Sequence, residues 1–276
     1  MFTNEDIIET ALESTNLKNK NVLVAGGGRL ISRAVIDRNP KKLTCVCEPD
    51  NNSKAERIFN ELGGERNDAE VITASLSQPG LFNEATFDIV IADFLIGKID
   101  NYAPGKHMDI LQFLKEYLAH DGELILIDIE PDLIPLYPND SLLTSDNHEN
   151  LSSGNSKMVL DDITRYRLYR RIRMLVVDLA LNHGIPGFRE IPGEWVEKWL
   201  IGIGFDDVEP QLATRTVSID IVDEHEKKIR SLIELITDSK SQKYIEALLD
   251  RSEGILREVC PFDYEQDIYI ITAKKG

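Results

Sequence analysis

Short apolar runs recur at near-regular spacing through the first half of the chain. They are "NVLVA" (21–25), "LTCVCE" (43–48), "AEVITAS" (69–75), "FDIVIADF" (87–94) and "GELILIDIE" (122–130). Each is continuous rather than alternating, the pattern of a strand covered on both faces. Between them, helical spacing appears in "ISRAVIDR", "SKAERIFNELG" and "HMDILQFLKEYLAH". In the last of these, Ile110, Leu111, Leu114, Tyr117 and Leu118 share one face. Strands alternating with helices require right-handed crossovers and a parallel sheet. Residues 21–130 therefore read as a doubly wound α/β unit. Ahead of it, Thr3 and Asp6 form a capping-box pattern before Ile7, Ile8, Ala11 and Leu12, which places a helix within residues 1–20.

After Glu130 the pattern changes. Residues 131–157 are rich in Pro, Asn, Ser and Asp and read as a long loop of the kind that forms lids or stays disordered. A helix is predicted over 159–183, with a stripe of Ile163, Tyr166, Ile172, Leu175 or Val176, and Leu179. A shorter helix in "GEWVEKWLIGIG", a strand from "FDDVEP", one or two charged helices in 223–258 and a strand in "DIYIITAKK" complete the chain. No internal repeat is visible. The whole reads as one domain in four parts: 1–20, 21–130, an insertion 131–190, and 191–276 with a second insertion at 223–258. That second insertion has two readings, a cover over the site or a homodimer surface.

Composition narrows the partners. The chain has 276 residues, 42% of them apolar, which is enough for a sizeable core. Its 48 acidic residues outweigh 31 basic ones for a net charge of −17, a field that repels phosphate backbones and argues against a nucleic-acid partner. "MFTNEDIIETALEST" has early acids and no signal-peptide core, and no run approaches the ~18 apolar residues of a membrane helix. The expectation is a soluble cytoplasmic protein with a small-molecule substrate. Cys45 and Cys47 alternate along one strand and face the same side; with no His or Cys cluster to complete a site, they read as buried thiols and no metal is assigned.

The chemistry centres on "NVLVAGGGRLISRAV", three glycines between a strand and a helix. In a doubly wound sheet, ligands lie beyond the carboxyl ends of the strands, where the strand order reverses. A glycine turn there lets a ligand approach backbone, and the helix N-terminus offers free N–H groups. Glu48 ends the second run twenty positions after Gly28, where an acid can take both hydroxyls of a ribose. The dinucleotide fingerprint G-x-G-x-x-G fails: read from Gly26 it places Ile31 third, and from Gly27 it breaks at Arg29. An NAD(P)-dependent oxidoreductase is accordingly a minor reading.

At these residues the sequence resembles the class I S-adenosylmethionine-dependent methyltransferases. "VLVAGGGRL" is similar to their first motif and Glu48 to their ribose-binding acid. "FDIVIADF", with Asp93 at its end, resembles their fourth strand, and "LAHDGELILID" their fifth. "GEWVEKWLIGIGFDDVEP", with its Gly204–Phe205 turn, and "DIYIITAKK" resemble the late helix and last two strands. The resemblance implies a seven-stranded, mostly parallel sheet with an antiparallel last strand and helical insertions. It also implies methyl transfer from S-adenosylmethionine to a small molecule. The cofactor residues it implies are Ala25, Gly26, Gly27, Gly28, Glu48, Pro49, Ser75, Leu76, Asp93 and Phe94. Three departures stand out: Val24 replaces the family's first-strand acid, Leu30 its third glycine, and "ITASLSQ" lacks the third-strand acid, for which Ser75 or Ser77 is the substitute. These departures keep open a catalytically silent relative. The Gly-Xaa-Gly-Xaa-Leu loop is also similar to that of nicotianamine synthases, an aminopropyl-transferring alternative.

Among candidate bases, Asp93 and Glu130 lie at strand ends, while His107 and His183 lie at helix ends. Arg29, beside the loop, is either a carboxylate ligand or a solvated residue. "RYRLYRRIR" gathers Arg165, Arg167, Arg170, Arg171 and Arg173 on one helix, either to receive an anion or, the favoured reading, to pair with nearby carboxylates. Tyr166 and Tyr169 are pocket or core residues.

Overall fold

A computed structural model describes residues 3–48, 52–64, 66–131, 162–185, 187–217, 227, 230, 231, 233–257 and 264–276. Pro49 and the 132–161 segment, which holds most of the predicted loop, lie outside the described residues, as do parts of 218–232 and 258–263.

The N-terminal helix α1 (Asn4–Leu12) forms as its capping box dictates: Thr3 Oγ1 accepts the Asp6 N–H at 3.3 Å while Asp6 accepts the Thr3 N–H at 2.5 Å. Then follow β1 (Asn21–Ala25), α2 (Arg29–Ile36), β2 (Lys42–Cys47), α3 (Asn52–Glu61), β3 (Ala69–Thr73), β4 (Phe87–Asp93), α4 (Ile96–Tyr102), α5 (His107–Tyr117) and β5 (Leu118–Ile129). The later elements are α6 (Asp162–Asn182), α7 (Gly193–Gly202), β6 (Phe205–Val217), α8 (Ser239–Arg257) and β7 (Tyr264–Lys275). The sheet order is β3-β2-β1-β4-β5-β7-β6. All pairs are parallel except β5 with β7 and β6 with β7.

Alternation along each strand divides the core in two. Val22, Val24, Cys45, Cys47, Ile89, Ile91, Ile125 and Ile127 meet α1, α2 and α3 on one face. Leu23, Ala25, Val90, Ala92, Leu124 and Leu126 meet α4, α5 and α7 on the other. Cys45 and Cys47 do share a face, and the Cys45 thiol donates to Ser32 Oγ at 3.3 Å. A third, smaller cluster joins α6 to α8 through Val176, Ala180, Ile245 and Leu249.

Two sequence expectations need correction. The run "AEVITAS" reads as a strand buried on both faces, yet β3 is only half-buried, because the strand order puts it at the sheet's edge. "HMDILQFLKEYLAH" reads as helix throughout, but α5 stops at Tyr117 and Leu118 already pairs with Phe87 as β5 begins. Helix α4 has no counterpart in the sequence reading. Its N-cap, Leu95, supplies no side-chain acceptor. Instead the buried Asp128 carboxylate, on the neighbouring strand, accepts the Gly97 N–H at 3.0 Å, a cap that local pattern cannot reveal.

Candidate active site

The sheet order reverses between β1 and β4, and the glycine turn leaves β1 at that point. Gly26 and Gly27 adopt φ of +93° and +61°, the left-handed region that glycine enters without cost. Space excludes side chains as firmly as angle does. A Cβ on Gly26 would lie 2.6 Å from the Asp93 carbonyl oxygen, and one on Gly27 2.7 Å from Cys47 Sγ. One on Gly28 would overlap the Asp93 carboxylate, at 1.7 Å from Oδ2. Helix α2 starts directly from Gly28 with no side-chain cap, so the positive end of its dipole meets the turn.

Asp93 is therefore brought onto the glycine loop, as the run "FDIVIADF" predicts for the end of a neighbouring strand. Its carboxylate is fully buried; burial raises its pKa, opposed by Lys98, Lys54 and Arg215. These three cations come from α4, α3 and β6, and the sequence reading named none of them. Lys54 Nζ donates to the Gly26 carbonyl at 2.5 Å, and Lys98 Nζ to the Asp93 carbonyl at 3.2 Å. Phe94 follows at φ +47°, with Arg215 Cζ 4.9 Å and Lys98 Nζ 5.8 Å from its ring centre. Glu48 extends β2 beside this group, its carboxylate oxygens buried and facing the Tyr102 hydroxyl. Burial, with the Glu48 charge and hydrogen bond added, pushes the Tyr102 hydroxyl well up. Beyond β3, Ser75 and Ser77 share a hydroxyl hydrogen bond at 2.8 Å and Leu76 is fully buried.

The remaining candidates lie elsewhere. Glu130, at the end of β5, accepts the Gly193 N–H at 2.9 Å and holds the start of α7. His107 is buried, with Nε2 3.9 Å from Asp100 and the ring 5.7 Å from Trp199, so it is not a solvated helix-end histidine. Its pKa is lowered by burial, against the pull of Asp100. His183 is exposed just beyond α6. Arg29 pairs with Glu61 at 3.6 Å, both half in solvent, which favours its solvated reading. Val24 is fully buried in the α1–α3 face and Leu30 packs against the same core. Tyr169 is fully buried, and Arg170 and Arg173 pair with Glu190 as the favoured reading holds. A groove of about 350 Å³ adjoins these residues beyond β5, lined in part by Pro131, Arg171, Leu175 and Trp195.

Asp128 gives this region a pH signature. Burial pushes its carboxyl up to about 6 from 3.8, although the Gly97 and Ile129 N–H groups hold the charged form. A folded-state value above the unfolded one means the folded chain binds the proton more tightly, so stability falls as pH rises from about 4 to about 6. The effect is on the order of 3 kcal/mol. In urea unfolding, the advantage of the wild type over Asp128→Asn is expected to shrink between pH 4 and pH 7; an advantage that grows over that range contradicts the assignment.

Neither a protein-family model nor a curated protein sequence matches this chain. Solved structures do. A putative methyltransferase from Bacillus halodurans superposes with a TM-score of 0.59 at 12% identity, over 98% of both chains. The fold is that of the class I methyltransferases. The mycolic acid cyclopropane synthase CmaA1, solved with S-adenosylhomocysteine, superposes with a TM-score of 0.52 at 16% identity, over 98% of this chain and 84% of its own. The same fold also carries the [4+2]-cyclase SpnF, with a TM-score of 0.51 at 12% identity, over 99% of this chain and 80% of its own. Among the described residues no helix is long and apolar enough to cross a membrane.

Proposed function

We propose that this protein binds S-adenosylmethionine at the glycine turn and transfers its methyl group to a small-molecule acceptor. The observation that carries the reading is the convergence of Gly26–Gly28, Glu48 and Asp93 at the carboxyl ends of β1, β2 and β4. The residues fit such a group: a turn that excludes any side chain, an acid at the end of β2, and a buried acid against the turn. Glu48 would hold the ribose hydroxyls, and Asp93, displaced by one strand from the Val24 position, would face the amino-acid end. When bound, the cofactor supplies an electrophilic methyl group on a sulfonium. The chain's own part is to orient and to exclude water, which the burial of Asp93 and the Glu48 carboxylate provides. The groove beyond β5, with its arginines and Trp195, is the acceptor site in this reading.

A second reading, a silent relative that binds ligand without methyl transfer, draws support from the three cations around Asp93, since a sulfonium is itself a cation. Calorimetric titration with S-adenosylmethionine, S-adenosylhomocysteine and NAD tests the cofactor. We expect dissociation constants on the order of micromolar for the first two, weakened at least tenfold in Glu48→Ala. Binding of NAD alone would replace the cofactor; binding of both sulfur compounds with no turnover across an acceptor screen would favour the silent reading.

A further inference from the structure

Lys54 leaves the start of α3 and folds back across the glycine turn. Its Nζ donates to the Gly26 carbonyl at 2.5 Å, and its Cε lies 3.4 Å from where a Gly27 side chain would begin. The side chain thus lies over a stretch of backbone at the switch point that is stripped of side chains. The elements packed around it bring titratable groups. Asp93 comes from β4, Cys47 and Glu48 from the end of β2, Lys98 from α4 and Arg215 from β6. The charges of Lys54, Lys98 and Arg215 thus all act on Asp93, and that of Lys54 on Glu48 as well.

A ligand carrying an ammonium beside a sulfonium needs the acceptors that these side chains already engage. The Gly26 carbonyl is taken by Lys54 and the Asp93 carbonyl by Lys98, while the Asp93 carboxylate lies within the field of both lysines and of Arg215, whose own guanidinium donates to Gln266 and Asn4. Two cations do not share one buried acceptor at close range without mutual repulsion. One must leave.

We propose that the Lys54 ammonium is a built-in occupant of the site's cationic end, holding the Gly26 carbonyl until the positive end of a ligand displaces it. This rests on the cofactor reading above. Lys54 is suited to the role because burial, with Lys98 beside it, lowers its pKa to about 8 despite Asp93, Cys47 and Glu48. A lysine held this loosely in its charged form is displaced more readily than a solvated one of ordinary basicity. Its four-carbon stem also lets the head swing out without moving α3. The consequence is a site tuned against cationic ligands: S-adenosylmethionine must compete with Lys54 on two charges, and S-adenosylhomocysteine, which lacks the sulfonium, on one.

Calorimetry of the full chain, with folding of each variant checked by thermal melting, decides the matter. Lys54→Met keeps the stem and removes the charge; Lys54→Gln serves the same comparison if the methionine variant does not fold. The expected result is S-adenosylmethionine binding at least tenfold tighter in Lys54→Met than in wild type, with a smaller gain for S-adenosylhomocysteine and wild-type affinity in Lys54→Arg. Binding that appears only in Lys54→Met supports the proposal equally. If wild type binds and Lys54→Met binds equally or more weakly, Lys54 is inert or holds the ligand's carboxylate; the proposal is then overturned and the cofactor reading survives. If neither folded protein binds either compound, the cofactor reading falls and this proposal with it.

Discussion

Replacing Gly26 by alanine is expected to destabilise the fold by about 2–5 kcal/mol. Two costs combine. A residue with a Cβ pays about 1–2 kcal/mol to enter the left-handed region, and Gly26 sits there at φ +93°. The new methyl would also meet the Asp93 carbonyl oxygen at 2.6 Å. That atom is backbone in a central strand and cannot rotate away, so overpacking adds about 1–3 kcal/mol. The melting temperature should fall by roughly 10 °C, given about 2–4 °C per kcal/mol in a chain of this size. Gly63→Ala is the matching control: its φ is +90° but its surroundings are open, so only the first cost, about 1–2 kcal/mol, applies. Equal losses in the two variants would mean that β4 does not press on the turn as described. A larger loss at Gly26 measures that contact directly, and the same contact holds Asp93 against Gly28.

How much of this site the sequence shows depends on how far apart its parts lie. The glycine turn and Glu48 are legible because each follows a continuous apolar run, and such runs specify buried parallel strands and their carboxyl ends. Asp93 is legible for the same reason. Lys54, Lys98 and Arg215 are not: they lie on two helices and an antiparallel strand, separated by 44 and 117 positions, and only the folded chain brings their charges around one carboxylate. Local pattern gives each of them the bland reading of a solvated charge. Helix α4 was hidden by the same limit. "IGKIDNY" has neither a side-chain cap nor a long apolar stripe, and the acceptor that satisfies its first turn stands on β5, 31 residues from Gly97. The edge position of β3 was equally invisible, since strand order is a property of the whole sheet. Where burial is set by neighbours in sequence the pattern reads true; where it is set by neighbours in space it misleads.

Glu190→Gln is expected to produce a loss of similar size, by a different cause. The Glu190 carboxylate is wholly buried between two guanidinium groups: Arg170 Nη2 lies 2.8 Å from Oε2 and Arg173 Nη2 2.5 Å from Oε1. Arg170 Nη2 also donates to the Glu130 carbonyl at 2.7 Å. Glutamine keeps one acceptor oxygen but turns an NH₂ group toward a cation and removes the charge that two buried arginines share. Breaking a buried ion pair from one side costs about 3–5 kcal/mol, mostly because the partner's charge remains buried. The midpoint of urea unfolding should fall accordingly. The triple replacement Arg170→Met, Arg173→Leu, Glu190→Leu should recover much of the loss, because well-packed apolar groups replace such networks at little net cost. A loss under about 1 kcal/mol in Glu190→Gln would place these arginines in solvent and class the pairs with ordinary surface bridges. The expected result would instead show that the arginine-rich helix is a fastening. It joins α6 to the end of β5 and to the chain entering α7, where Glu130 holds Gly193. The groove beyond β5 then has a rigid wall on that side, and a small molecule entering it would meet Arg171 and Trp195 on a fixed frame.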